Sequence, residues 1–277
     1  MELQVARRRL AGRGGDVVQR FRTAGTADRL AVGCLVVLWL TQAVTPLFER
    51  GRRQGPTTIV VVLLAAAALA ATAGSVGWRR AGLAVAGATA VGVAVEAIGL
   101  RTGLPFGEYR YTGSLQPQVF GVPVAVAFAW AGMGLPAWAV AGRLVRSTPA
   151  RIALGAVALT GWDLFLDPQM VAEGFWVWPD GGFYRGIPLS NYGGWLAVSA
   201  VLMTVFSVTA PGARSRVAVS AYLLMAVMEV LGFLFFFGDP VVALVGGVVC
   251  VPLGVAALVG RRTQAEDRGV RTAEVRR

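Results

Sequence analysis

Long apolar runs, separated by short segments that carry the arginines, set the pattern of this chain. A helix that crosses a bilayer needs about 20 apolar residues, with a range of ~17 to 25. By that measure eight runs are candidate spans: Leu30–Phe48, Thr57–Gly77, Ala81–Leu100, Val119–Gly142, Ile152–Asp167, Leu189–Ala210, Val217–Phe237 and Val241–Gly260. The first is short and the fifth carries acids, which makes these two the weakest of the set. Glycine and proline recur inside the runs, as at Gly92, Gly99, Pro123 and Pro136, a habit membrane helices tolerate and one that lets neighbours approach closely. The expected fold is all-α, a polytopic integral membrane bundle of about eight helices. A basic segment, residues 1–29, precedes the bundle at 30–260, and a charged tail, 261–277, follows it.

Composition supports the bilayer as solvent. Of 277 residues, 56% are hydrophobic and 15% charged, with a mean hydropathy of +0.62, more apolar surface than one soluble core buries. The net charge of +11 is carried by arginine, with no histidine and no lysine. Arginines scattered between apolar runs suit a membrane surface better than a nucleic-acid groove, so no nucleic-acid partner is expected. Given eight spans, 20 of the 26 arginines fall on the side of the N-terminus, which predicts a multi-pass protein of the cell membrane with both termini cytoplasmic. Arg50, Arg52 and Arg53 dissent, since they fall on the opposite side. The first 28 residues lack an apolar core of the kind a cleaved signal has. Cys34 and Cys250 each lie inside an apolar run and read as small core residues rather than a disulfide or metal pair.

Ionisable groups inside a span are unfavourable by roughly 2.5–3.5 kcal/mol at mid-membrane, so each one asks for a reason. Four stand out: Glu96 in the third span, Asp163 and Asp167 in the fifth, and Glu229 in the seventh. These helices run in the same direction, and a rise of ~1.5 Å per residue places the acids at similar depth, in the half of the membrane away from the termini. Asp163 and Asp167, spaced i, i+4, project from one helix face. Two carboxylates held close in a low dielectric cannot both ionise easily, so one tends to stay a neutral acid and a proton donor. The structural alternatives are that Asp167 ends its helix before Pro168, that Asp163 pairs with an arginine or a backbone group, and that Glu229 is an interhelical hydrogen-bond partner.

The two longest loops leave the membrane on the side of the acids. Residues 101–118 carry Phe106, Tyr109 and Tyr111, and residues 168–188 carry Phe175, Trp176, Trp178, Phe183 and Tyr184. Trp and Tyr often form an interfacial belt, and that explanation competes with an apolar pocket capped by aromatic loops over buried acids. The sequence has no His or Cys cluster for a metal, no phosphate-binding loop and no Ser-His pair. Neither a metal nor a cofactor is expected, and the remaining chemistry is what carboxylates, aromatic faces and water can do unaided.

At these same residues the chain resembles the membrane carotenoid hydratases, which include bisanhydrobacterioruberin hydratases and the hydratases of γ-carotene and lycopene ends. The resemblance runs in order through Glu96-x-x-Gly99, Thr102-Gly103-x-Pro105-Phe106-Gly107-x-Tyr109-x-Tyr111, Phe120-Gly121-Val122-Pro123 and Ala129-Trp130. It continues through Asp163-x-x-x-Asp167-Pro168, Gly174-Phe175-Trp176-x-Trp178, Tyr184-x-Gly186-Ile187-Pro188 and Ser190-Asn191-Tyr192-x-Gly194-Trp195. It implies addition of water across the terminal double bond of an acyclic carotenoid end to give a tertiary alcohol. The chemistry then requires an acid, for which the Asp163/Asp167 pair is the candidate, with Glu229 as a further carboxylate. Aromatic faces would stabilise a cation, with Tyr109, Trp162, Trp176 and Trp178 as candidates. Glu96 and Asn191 would hold the attacking water. Phe106, Tyr111, Trp130, Phe175, Tyr184, Tyr192 and Trp195 complete the expected substrate contacts. The implied partners are the lipophilic carotenoid, the lipid bilayer and other enzymes of the carotenoid pathway. Two other readings are an intramembrane prenyltransferase, because DLFLD at 163–167 has the Asp-x-x-x-Asp form of a magnesium motif, and a non-catalytic carrier or scaffold. The first lacks a second such motif, and the second lacks an inverted repeat.

Overall fold

The computed structural model describes residues 25–260. Residues 1–24 of the basic N-terminal segment and the whole charged tail lie outside them. The eight expected spans are eight helices: α1 Thr26–Val44, α2 Gln54–Val76, α3 Trp78–Thr102, α4 Val124–Leu144, α5 Thr148–Ala172, α6 Leu189–Thr209, α7 Arg216–Phe235 and α8 Pro240–Val259. Each is long and apolar enough to cross a membrane, and the protein is a multi-pass helical membrane protein. Its outward faces carry exposed apolar side chains such as Val37, Ile59, Leu83, Val157, Leu196, Val201 and Leu244. Such a surface suits lipid rather than water.

Helix α4 is the axis of the bundle. Every residue from Ala129 to Gly142 is buried, and the helix packs against α2, α3, α5, α6, α7 and α8. A helix apolar on all sides belongs at such a centre. Trp130 and Trp138 are the largest side chains fully enclosed there.

Most boundaries shift by a few residues from those read off the sequence, and two of the shifts bear on the site. The fourth span starts at Val124 rather than Val119, because residues 118–123 form a hairpin of β2 (Gln118–Val119) and β3 (Val122–Pro123). The fifth runs on from Asp167 through Pro168 to Ala172, so Asp167 does not end its helix. A proline inside a helix removes the N–H that the carbonyl four residues earlier would accept. That carbonyl, Leu164 O, accepts instead from the Tyr184 hydroxyl at 3.2 Å.

The two long loops are tied together. β1 (Arg110–Tyr111) pairs antiparallel with β4 (Trp176–Val177), setting Tyr111 opposite Trp176, and Thr112 N–H donates to Phe175 O at 3.0 Å. Beneath them Leu115, Met170, Phe175, Trp176, Trp178 and Ile187 form a small core of their own. Two ion pairs clamp the loops to their surroundings. Arg53 meets Glu173 at 2.7 Å, and Arg185 meets Asp239, the N-cap of α8, at 2.5 Å. The dissent of Arg53 from the arginine asymmetry thus has a structural cause, a carboxylate partner at the same end of the bundle.

Candidate active site

Glu96 sits in the last two turns of α3 and is 5% exposed. Its Oε2 accepts from the hydroxyls of Tyr109 at 2.5 Å and Tyr111 at 2.8 Å, and its Oε1 accepts from Trp130 Nε1 at 3.2 Å. The site is possible because α3 is bare on both sides of the carboxylate. A Cβ on Gly92 would lie 2.6 Å from Trp130 Cδ1, and one on Gly99 would lie 3.0 Å from the Tyr109 hydroxyl. Burial first, and the nearby Glu96 charge second, push both phenols up from their ordinary values. They therefore act as neutral donors. A carboxylate offers about four acceptor positions, so three donors leave Glu96 with roughly one to spare.

Asp163 and Asp167 follow a different plan. Both converge on one amide nitrogen: Asn191 Nδ2 donates to Asp163 Oδ2 at 3.1 Å and to Asp167 Oδ2 at 2.5 Å. Asn191 stands in the first turn of α6, so the junction between α5 and α6 positions the pair. Trp176 Nε1 donates to Asp167 Oδ1 at 3.1 Å, whereas Asp163 Oδ1 is buried without a partner. The pair is thus short of donors where Glu96 is rich in them.

Glu96, Asp167 and Asn191 open onto one narrow cavity of about 50 Å³. Its walls are apolar and aromatic, from Phe106, Tyr109, Tyr111, Trp130, Trp176, Trp178 and Trp195. Trp130 and Trp195 stack at 4.1 Å, and Tyr109 leans on Trp178 at 5.8 Å. Trp178 is fixed in turn by donating Nε1–H to Phe106 O at 3.0 Å. Five of the loop aromatics, Phe106, Tyr109, Tyr111, Trp176 and Trp178, are therefore wall rather than belt: Phe106 is 2% exposed and Trp176 and Trp178 are 6%. Phe183, by contrast, is 87% exposed.

Residues 56–261 match the family model described as carotenoid biosynthesis protein. The chain belongs to that family. It is also similar to the bisanhydrobacterioruberin hydratase of Haloarcula japonica, with 33% identity over 197 residues, which cover 69% of this chain and 65% of that relative. The chain thus spans somewhat less than two thirds of the relative's length. No solved structure matches it.

In this carotenoid biosynthesis protein the remaining candidate residues fall outside the cavity wall. Asp163 lies behind Asp167, with no exposed surface. Phe175 belongs to the core beneath the loops, and Tyr184 repairs α5 and meets Tyr192 edge to face at 5.8 Å. Burial, the largest influence, pushes the Tyr184 phenol up to about 12, in keeping with its role as a donor. Trp162 touches Trp195 edge to face at 6.4 Å but lines a second cavity, as does Glu229. Glu229 accepts a single hydrogen bond, from Gln42 Nε2 of α1 at 3.3 Å, the interhelical role that was its structural alternative. Nothing in the sequence marks the rest of the wall, Thr57 and Val61 of α2 with Leu166 and Met170 of α5. Side chains of these kinds also face lipid and core along the same helices.

Proposed function

We propose that the protein hydrates the terminal trisubstituted double bond of an acyclic carotenoid end group, giving a tertiary alcohol. The observation that carries this reading is the pairing of two unlike carboxyl sites on one apolar cavity. One is nearly saturated with donors, and the other is a twinned pair short of them. The Asp167 carboxyl, holding the proton of the pair, gives it to the less substituted alkene carbon. The π electrons form that C–H bond and leave a tertiary cation on the neighbouring carbon. Facing aromatic rings and the Glu96 charge stabilise the cation, the rings by about 2 kcal/mol or more in a dry site. A water oxygen bonds to the cation, and its proton passes to the spare acceptor position of Glu96. From there it returns through cavity water to the Asp pair, so the reaction consumes only water. Asp163 is a positioning residue that keeps the shared proton on the pair.

The name of the Haloarcula relative and the family membership support this reading, as do the seven aromatic side chains that line the cavity beside the acids. We also assign both termini to the cytoplasmic side of the cell membrane, on the arginine distribution. The reaction is tested by expressing the chain in cells that make an acyclic carotenoid, grown in heavy-oxygen water. The expected result is a carotenoid heavier by one water with the label in a tertiary hydroxyl. An unlabelled product, or none while the protein is present and folded, overturns the assignment.

A further inference from the structure

The reacting end of an acyclic carotenoid continues into a long, stiff conjugated rod. The cavity at Glu96 and Asp167, about 50 Å³, is far too small for the whole molecule, so the rod must leave the site through some wall. A second and larger cavity, of about 440 Å³, lies beside the first, between α1, α2, α5 and α7. Thr57, Val61, Leu166 and Met170 line both, which makes them a shared partition. The far side of the second cavity is bounded by Leu231, Phe235 and Phe236, which are 41%, 72% and 59% exposed on the outward face of the bundle. Met170, Met225 and Met228 contribute flexible, polarizable walls, suited to a long apolar guest of fixed shape.

We infer that this second cavity is a polyene gallery, through which an acyclic carotenoid enters sideways from the lipid between α1 and α7 and in which its conjugated rod rests while the end group reacts. The four partition residues form the neck of the gallery. Thr57 and Val61 of α2 stand on one side of this neck and Leu166 and Met170 of α5 on the other. The inference rests on the proposed hydration for the identity of its guest, and its test reads binding separately from turnover.

The full chain and two variants that plug the gallery from opposite sides, Met228→Trp and Ala43→Trp, are purified from pigment-producing cells. Retained polyene is measured by visible absorbance per protein. Hydration is then compared for a full-length acyclic carotenoid and a short acyclic terpene with the same end. Each plug is expected to lower retained polyene severalfold. Each should also lower the ratio of long- to short-substrate turnover about tenfold, a change of ~1.4 kcal/mol in relative barrier. Unchanged retention in both folded variants, or equal loss for long and short substrates, overturns the gallery. Retained polyene in the parent protein that depends on the gallery, with no hydrated product, would instead support the gallery and count against the hydration.

Discussion

The two ends of helix α5 each bury charge, in opposite ways. Near its start Arg151 is 3% exposed, and all three nitrogens of its guanidinium donate to backbone carbonyls. Nε and Nη2 donate to Trp138 O at 3.2 and 3.1 Å, Nη1 donates to Pro211 O at 2.5 Å, and Nη2 also donates to Ala213 O. Its carbon lies 3.5 Å above the Trp138 ring. Some 12 to 16 residues on, about 18–24 Å along the axis, Asp163 and Asp167 share one amide, leave a carboxylate oxygen unpartnered and face a cavity through Asp167. A buried charge whose every nitrogen donates to backbone is a fastening. One left short of partners beside an empty space is poised for a proton or a substrate.

Substitutions can break this contrast. The largest effect is expected from Asp167→Asn, which keeps the shape and removes the proton. Hydration should fall about a thousandfold, the scale of a lost general acid, with folded yield unchanged. Retention of full activity would dissolve the distinction between the ends. Arg151→Met should do the reverse. Three carbonyls lose their donors, and stability should drop on the order of 3 kcal/mol, seen as a lower melting temperature in detergent, while turnover per folded molecule stays the same. Glu96→Gln should slow hydration on the order of tenfold to a hundredfold, about 1.4–2.7 kcal/mol, because its NH₂ would face a donor among Tyr109, Tyr111 and Trp130. Tyr184→Phe sharpens the comparison most finely. Loss of the bond to Leu164 O should weaken the protein by ~1 kcal/mol and lower the rate severalfold, since the segment around Pro168 carries Asp167. A pure stability loss with no change in rate would make Tyr184 another fastening.

Much of this was legible in the sequence where a residue broke its local pattern. Eight apolar runs announce eight helices, and a carboxylate inside such a run is an anomaly that points at itself. Glu96 and Glu229 look alike on that basis. What separates them is tertiary: three donors from a loop and from α4 gather on one, and a lone amide from α1 meets the other. The end of α5 was misread for a similar reason, since Pro168 stops a helix unless its orphaned carbonyl finds a donor, and Tyr184 supplies one from beyond the next bend. The aliphatic partition was illegible because valine, leucine, methionine and threonine look the same in a sequence whether they face lipid, core or cavity.

The short ladder between the two loops places Tyr111 and Trp176 on one rung. The first of these side chains reaches Glu96 and the second reaches Asp167. A slip of one residue in that pairing would turn both side chains to the wrong face together. The proposed base and the proposed acid are therefore gauged from a single crossbar, and inserting a residue into either loop should silence both at once rather than leave a half-working centre.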